Sequence, residues 1–307
     1  MLSRIGGSGR VASARHVAIA QALLVTFLWS TSWVLIKFGL GEIPALTFAG
    51  LRYTLAFGCL LPFALRPAHR AALAGLSRRE WGNLALLGVL FYALTQGAQF
   101  LALSLLPAIT TSLLLNFTTV VVALIGAAFM AEKPHRLQWV GIVLNLAGVL
   151  LYFFPVALPA GQWVGIAVAL TGVLANALGA LLGRQVNRGH TLSPLLVTVV
   201  SMGIGGLLLL VAGIVTQGLP ALSPAHWLTV GWLAVVNTAY AFTLWNRTLR
   251  QLSAVESSMI NSTMLIQITL LAWFILGERL TGQEMAGLAL AALGVGLVQW
   301  RPAVRKP

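Results

Sequence analysis

The sequence contains no Asp, and its 307 residues hold only six acidic side chains and one Cys. So few carboxylates leave little material for paired general acid–base catalysis or for a carboxylate metal site. The lone cysteine, Cys59, offers no disulfide framework and no cysteine metal cluster, and it reads as a packing residue. The histidines, His16, His69, His135, His190 and His226, fall in loops or near the ends of apolar stretches, so no His/Glu metal helix can be drawn. A nucleophile elbow and a phosphate-cradling glycine loop are missing as well. The chain is therefore not read as an enzyme, and neither a cofactor nor a metal is expected. Charged residues make up 8% of the chain, whereas a soluble protein carries about a quarter. That shortage excludes an ordinary soluble domain.

What the chain has instead is apolar length: 59% of its residues are hydrophobic and ten are Trp. Ten apolar runs lie near 17–36, 44–65, 82–104, 107–130, 137–154, 162–183, 193–215, 227–249, 254–276 and 283–300. Each is long enough to cross a hydrocarbon core of about 30 Å. A spanning segment must satisfy its own backbone, so all ten read as helices. The expected fold class is an all-α membrane protein with ten transmembrane helices in the lipid bilayer.

A net charge of +13 would suit nucleic acid in a soluble chain. Here the cations sit in short loops, and their distribution is lopsided. With the N-terminus in the cytoplasm, the inner segments take Arg4, Arg10, Arg15, Arg66, Arg70, Arg78, Arg79, Lys133, Arg136, Arg184, Arg188, Arg247, Arg250, Arg301, Arg305 and Lys306. The outer loops take only Lys37 and Arg279, and Arg52 lies inside the second run. This asymmetry predicts a bacterial-type inner membrane protein with both termini cytoplasmic and no nucleic-acid partner. The basic N-terminus feeds straight into a full-length run, so no cleavable signal is expected. Residues 1–16 and 301–307 read as cytoplasmic tails, and the basic loop 66–80 suits the anionic inner leaflet. Trp81, Trp163 and Trp227, at run ends, read as interfacial anchors.

The stretch 107–151 recurs, without a gap, 146 residues later at 253–297. Ala108 meets Ala254, Ser112 meets Ser258, Leu124 meets Leu270, and Glu132 meets Glu278. Gly141, Leu144, Gly148, Val149 and Leu151 meet Gly287, Leu290, Gly294, Val295 and Leu297, and Trp81 meets Trp227. Such internal similarity divides the chain into a first five-helix repeat, 17–155, and a second, 161–300. Five is odd, so the second repeat enters the membrane from the opposite side. Inverted repeats about an in-plane axis suit a carrier that opens alternately to each side of a midplane site. A channel built by inverted duplication is the other use of this symmetry.

These residues also resemble a family. The stretches GAAFMAEKPHRLQWVGIVLNLAGVLL and AWFILGERLTGQEMAGLALAALGVGL look like the two copies of the EamA-type motif of the drug/metabolite transporter superfamily. FLWSTSWVLIKFGL with IPALTFAGLRY is similar to that family's first two helices, so the resemblance runs from about Ala20 to Gln299. It implies a carrier related to bacterial exporters of amino acids and other metabolites, aromatic amino acid exporters among them. It further implies a central cavity surrounded by helices 1, 3, 4, 6, 8 and 9. In one respect the chain departs: the family often has a Pro about thirteen residues before the Glu, and Thr119 and Leu265 stand there instead.

The polar residues at depth are neutral. In the third run Tyr92, Thr95, Gln96 and Gln99 are spaced to share one helix face. The fourth run adds Ser112, Asn116 and Thr119, the sixth Asn176, the eighth Asn237, Thr238 and Tyr240, and the ninth Ser258, Asn261, Ser262 and Gln267. The first run carries Trp29, Ser30, Ser32 and Trp33. Singly, such residues serve as interhelical hydrogen-bond glue. The face on the third run is too long for one packing contact and points to a wet cavity. The substrate contacts expected are Tyr92, Gln96, Gln99, Asn116, Asn176, Asn237 and Tyr240, with Trp33 and Trp245 as aromatic walls. Arg52 has two readings, pairing with an anionic substrate or capping loose carbonyls between helices, of which the structural one is favoured; with one cation at depth, sugar-phosphates and nucleotide-sugars are disfavoured. Lys37 and Glu42 read as solvated loop charges, with a gate pair as the other reading. Glu132 and Glu278 read as helix end caps. The small residues Gly141, Asn145, Gly148, Gly287, Ala291 and Gly294 form a close-packing seam between runs five and ten.

The function these features predict is export of small neutral metabolites, most of all amino acids, by alternating access, with a small-molecule substrate as partner. A drug or other metabolite exporter, a sugar or anion exchanger, a small-solute channel and an intramembrane lipid-modifying enzyme are the alternatives.

Overall fold

The computed structural model describes residues 5–129, 136–155, 160–188, 192–248, 252 and 254–299. Among these the chain is helical throughout, without a strand. In order the helices are α1 (Ile5–Gly39), α2 (Ala45–Ala64), α3 (Pro67–Ala74), α4 (Arg78–Leu87), α5 (Thr95–Leu105), α6 (Ala108–Asn116), α7 (Thr118–Phe129), α8 (Arg136–Phe153), α9 (Ala160–Arg188), α10 (Pro194–Gln217), α11 (Pro224–Ala234), α12 (Ala241–Thr248), α13 (Ala254–Ile275) and α14 (Gly282–Gln299). A π-helical segment, Gly88–Leu94, joins α4 to α5, and a second, Val235–Tyr240, joins α11 to α12. Eight of the resulting helical stretches are long and apolar enough to cross a membrane; Ile260–Ile275 and Gly282–Val298 are apolar but shorter. Leu150, Val215, Leu228 and Phe274 are among the many large apolar side chains on the exterior, as a lipid-facing surface requires. Residues 5–16, expected as a tail, continue α1. Cys59 is exposed on the outside of α2.

The 146-residue offset reappears in the element boundaries. Arg78 and Pro224 each open a helix, as do Ala108 and Ala254, and Arg136 and Gly282. Even the caps are mates. Ser77 accepts from the backbone N–H of Glu80 and donates its own N–H to that carboxylate (2.8 Å). At the same place in the second half, Ser223 accepts from the N–H of His226 and donates to Nδ1 (3.2 Å). Both arrangements are capping boxes that satisfy N-terminal donors. The π segments also recur, and at each a threonine hydroxyl reaches back five residues, though the two threonines are not mates. Thr95 donates to Leu90 O (2.7 Å) and Thr238 to Leu233 O (2.8 Å).

Mate helices pack on each other, α8 against α14 and α2 against α10. They run antiparallel. A Cβ on Gly141 would meet Gly294 O at 2.6 Å, and a Cβ on Gly148 would meet Gly287 O at 2.6 Å and Ala291 N at 2.4 Å. Gly287 and Gly294 face Gly148 and Gly141 in return, with Gly148 O at 2.7 Å and Gly141 O at 2.6 Å. The sequence-expected seam is thus where backbone meets backbone, a spacing only glycine allows. Asn145 Nδ2 ties the seam by donating to the carbonyl of its own mate, Ala291 (3.1 Å). The remaining packing is exchanged in the same way. α1 lies on α13 as α9 lies on α6, and α12 on α1 as α5 on α9. The halves are interleaved and oppositely directed.

One departure from this symmetry concerns the position without Pro. The fourth run breaks at Phe117, between α6 and α7, while α13 runs unbroken from Ala254 to Ile275. Asn116 Nδ2 donates to Ser112 O (2.9 Å) at the break, so the side chain competes for the carbonyl ladder that a Pro would otherwise interrupt.

Candidate functional site

A cavity of about 290 Å³ opens among α1, α2, the first π segment with α5, the α6–α7 break, α9, α12 and α13. α1 contributes Trp29, Ser32 and Trp33, and α2 contributes Arg52 and Tyr53. Phe91, Thr95, Gln96 and Gln99 come from the third run, and Ser112, Leu115, Asn116, Thr118 and Thr119 from the fourth. Asn176, Phe242, Asn261, Met264 and Ile268 complete the lining. The resemblance implied runs 1, 3, 4, 6, 8 and 9; run 2 joins them with Arg52, the one charged residue among the described lining.

Arg52 is 3% exposed, on the eighth residue of α2. Its Nε donates to Thr238 Oγ1 (2.9 Å), whose own proton goes to Leu233 O. The guanidinium lies 5.3 Å from the Tyr53 ring centroid, a cation–π contact. Tyr53 in turn donates its hydroxyl to Gln96 Oε1 (2.6 Å), leaving the Gln96 amide nitrogen as a donor. Asn116 and Asn176 have their amide nitrogens engaged, by Ser112 O and by Thr118 Oγ1 (3.4 Å), which leaves their oxygens as acceptors. The aromatic wall is layered: Trp29 stacks tilted against Phe242 (5.1 Å) and Trp245 (5.2 Å).

Of the residues expected at the site, Trp33, Gln96, Gln99, Asn116 and Asn176 line the cavity. Tyr92 is buried beside it, packed on Tyr53 (5.8 Å) and Phe91 (5.3 Å). Asn237 is buried between helices, donating to Leu28 O and Thr31 Oγ1 on α1. Trp245 stands behind Trp29, and Tyr240 is 51% exposed outside the lining. The π segments account for this division. Each added residue rotates the downstream helix by about 100°, so a face drawn at α-helical spacing breaks at a π segment. Thr95, Gln96 and Gln99 lie beyond the first one and stay together; Tyr92 lies within it, and Asn237 and Tyr240 lie within the second. Ser30 and Gln267 join α1 to α13 (3.0 Å), away from the cavity. Tyr53, Phe91, Phe242 and Met264 are lining residues that the residue pattern did not single out. Only Tyr53, a rare hydroxyl next to a buried cation, carried a signal.

At one end of the molecule a second cleft, of about 540 Å³, is bounded by Pro107, Tyr152, Glu278, Arg279 and Glu284. Here the turn between α5 and α6 is clamped from both sides. Lys37 Nζ donates to Leu103 O and Leu106 O (both 2.7 Å), a cation at the carbonyl end of α5. Glu278 accepts from the N–H groups of Ala108 (2.6 Å) and Ile109 (3.0 Å), an anion at the N-terminus of α6. Gly277, with φ +69°, makes the left-handed turn after α13 that aims Glu278 across. Glu278 therefore caps a helix, though one in the other half of the chain. Glu42 pairs with His226 Nε2 (3.0 Å) and not with Lys37. Glu132 lies outside the described residues.

Known proteins resemble this chain in sequence and in fold. A transporter of Archaeoglobus fulgidus is 33% identical over 139 residues, 45% of each chain. A probable amino-acid metabolite efflux pump of Escherichia coli is 33% identical over 130 residues, 42% of this chain and 40% of that protein. Both matches span less than half of the relatives' own length. A protein of known crystal structure covers 92% of this chain and 97% of its own with a TM-score of 0.66; at 18% identity it shows the fold alone. The model of the EamA-like transporter family matches twice, at residues 16–154 and 163–300. One family model thus falls on each of the two interleaved, oppositely running halves, and this multi-pass membrane chain belongs to the EamA-like transporter family.

Proposed function

We propose that the protein is an inner-membrane carrier of ten transmembrane helices, two inverted repeats at 17–155 and 161–300 with both termini cytoplasmic. It exports small neutral metabolites, amino acids first among them, by alternating access. The observation that carries this reading is the 290 Å³ cavity at the centre of the helices, lined by amides, hydroxyls and aromatic rings. Its size sits at the lower end of ligand pockets, roughly 300–1,000 Å³, which suits a metabolite better than a large drug. Gln96, Gln99, Asn116 and Asn176 supply donors and acceptors, and Trp33 an aromatic face. Tyr92, Asn237 and Trp245 support that lining from behind, and Tyr240 belongs to it only in another state of the cycle. The outer end is the one closed by Lys37 and Glu278, so transport requires that clamp to open and a matching closure to form at the other end. The name of the Escherichia coli relative favours the same substrate class.

The test is flux of labelled neutral amino acids in proteoliposomes, with Gln96→Ala and Asn116→Ala as comparison. Saturable uptake that both variants weaken supports the carrier. Flux that never saturates identifies a channel, and no flux of any amino acid in a folded preparation refutes the substrate class.

A further inference from the structure

We infer that Arg52 is the substrate receptor of this cavity and that it recognises a single carboxylate. The inference rests on the carrier reading above and names the group on the substrate that the site reads.

Arg52 has no counter-ion among the described residues. The chain has no Asp. Each described glutamate side chain is engaged elsewhere: Glu42 with His226, Glu80 with Ser77, Glu278 with the start of α6, and Glu284 with Thr281 N (2.7 Å). A buried cation of this kind is costly unless something anionic or wet faces it. The carbonyl-capping role expected from the sequence is not what the side chain does. Its one hydrogen bond among the described residues goes to a hydroxyl, Thr238 Oγ1, and uses Nε. Arg52 is a lining residue of the cavity, and its two terminal nitrogens have no protein partner among the described residues. Thr238 is fixed by its bond to Leu233 O across the π segment, so the fork is held from behind with its open side free. An arginine fork presenting two parallel N–H groups matches a carboxylate bidentately. A phosphate dianion would need a second cation, and the described lining offers only this one. The Nε1 donor of Trp29, buried without a partner on the same lining, adds to the excess of donors. Acceptors for a substrate ammonium remain on Asn116 and Asn176.

The experiment compares amino acids with their amides, which keep the ammonium and side chain but lack the carboxylate. Phenylalanine, leucine and alanine, each with its amide, are tested as counterflow substrates and as quenchers of tryptophan fluorescence in detergent. Wild type is expected to prefer the acids by about tenfold to a hundredfold, the worth of a charge-assisted pair. Arg52→Gln is expected to abolish that preference while changing amide handling less than about threefold, and Arg52→Lys to keep part of it. Thr238→Val leaves the charge but frees Nε, and reduces the preference if Arg52→Gln fails to fold. Acids and amides handled alike by wild type, or a preference unchanged in a folded Arg52→Gln or Thr238→Val protein, overturns the inference. If wild type handles neither set, labelled pyruvate and lactate separate the two ideas. Binding of either that depends on Arg52 upholds the carboxylate site and rejects amino acids; binding of neither rejects both.

Discussion

Glu278 offers the sharpest test of alternating access, because its contacts join two helices that the proposed cycle would move apart. Its carboxylate takes two backbone N–H groups of α6, at 2.6 and 3.0 Å, from its place beyond the end of α13. Replacing it with Gln keeps one acceptor oxygen and removes the charge. Each charge-assisted bond is worth about 1.5–3 kcal/mol against about 1 for a neutral one, and the helix terminus adds about 0.3–1 kcal/mol for an anion. The carboxylate is half-buried, so water recovers part of the loss and a net change of about 2 kcal/mol is reasonable. If the bridge exists only when this end is closed, that change opens the closed state by about thirtyfold.

The assay is the labelling rate of a thiol inside the cavity. Ser112→Cys in a Cys59→Ala background places a reporter on the lining, and a membrane-impermeant reagent approaches from the end where α6 begins. Glu278→Gln should raise the rate by about thirtyfold. Glu284→Gln is the control, since it borders the same cleft but closes a capping box with Thr281 on its own helix. It should lower thermal stability without raising labelling. Equal labelling in wild type and Glu278→Gln, with the protein folded, would refute the clamp.

Other substitutions test the same contacts. Lys37→Met removes two donors from the carbonyl end of α5, costs about 1–3 kcal/mol and should raise labelling as Glu278→Gln does; an additive double variant would mean two independent clasps. Gly148→Val forces a side chain into Ala291 N and Gly287 O, and should lower the detergent melting temperature sharply through overpacking of about 3 kcal/mol or more. Gly296→Ala meets open space on the same pair of helices and should be neutral or stabilising by up to about 1 kcal/mol. Asn145→Leu loses one interhelical bond of about 0.6 kcal/mol in a membrane and also removes an unpartnered buried oxygen, so its melting temperature should move little.

Much of the frame was legible because it is written in glycine spacing and apolar length. Gly141, Gly148, Gly287 and Gly294 were readable as a seam, and the structure puts backbone against backbone at all four. The lining of the cavity was legible up to the π segments. Gln96 and Gln99 could be placed because only α-helical turns separate them, whereas Asn237 and Tyr240 sit inside a segment that no residue type announces. A π turn depends on a local carbonyl being satisfied otherwise, here by Thr238 reaching Leu233 O, and a threonine in an apolar run has many other uses. Arg52 was visible as a buried cation, but that no described glutamate faces it depends on where the four described glutamate side chains went.

The two halves share their frame and divide their chemistry. Seam glycines, capping serines and π segments fall on mates 146 residues apart, and these are what two interchangeable states need. At the cavity the mates differ. Gln96 faces it with its mate Phe242, Asn261 with its mate Leu115, and Thr118 with its mate Met264, one polar and one apolar residue in each pair. Arg52 comes from α2, and no residue of its mate α10 is in the described lining. A metabolite with a carboxylate, an ammonium and an apolar side chain has no two-fold axis, so a symmetric lining could satisfy at most half of it. On the proposed alternating-access cycle, symmetry in the scaffold would let the protein face either side at similar cost. Asymmetry in the lining would then let one substrate be held the same way in both proposed states, and Arg52 is where that asymmetry becomes a charge.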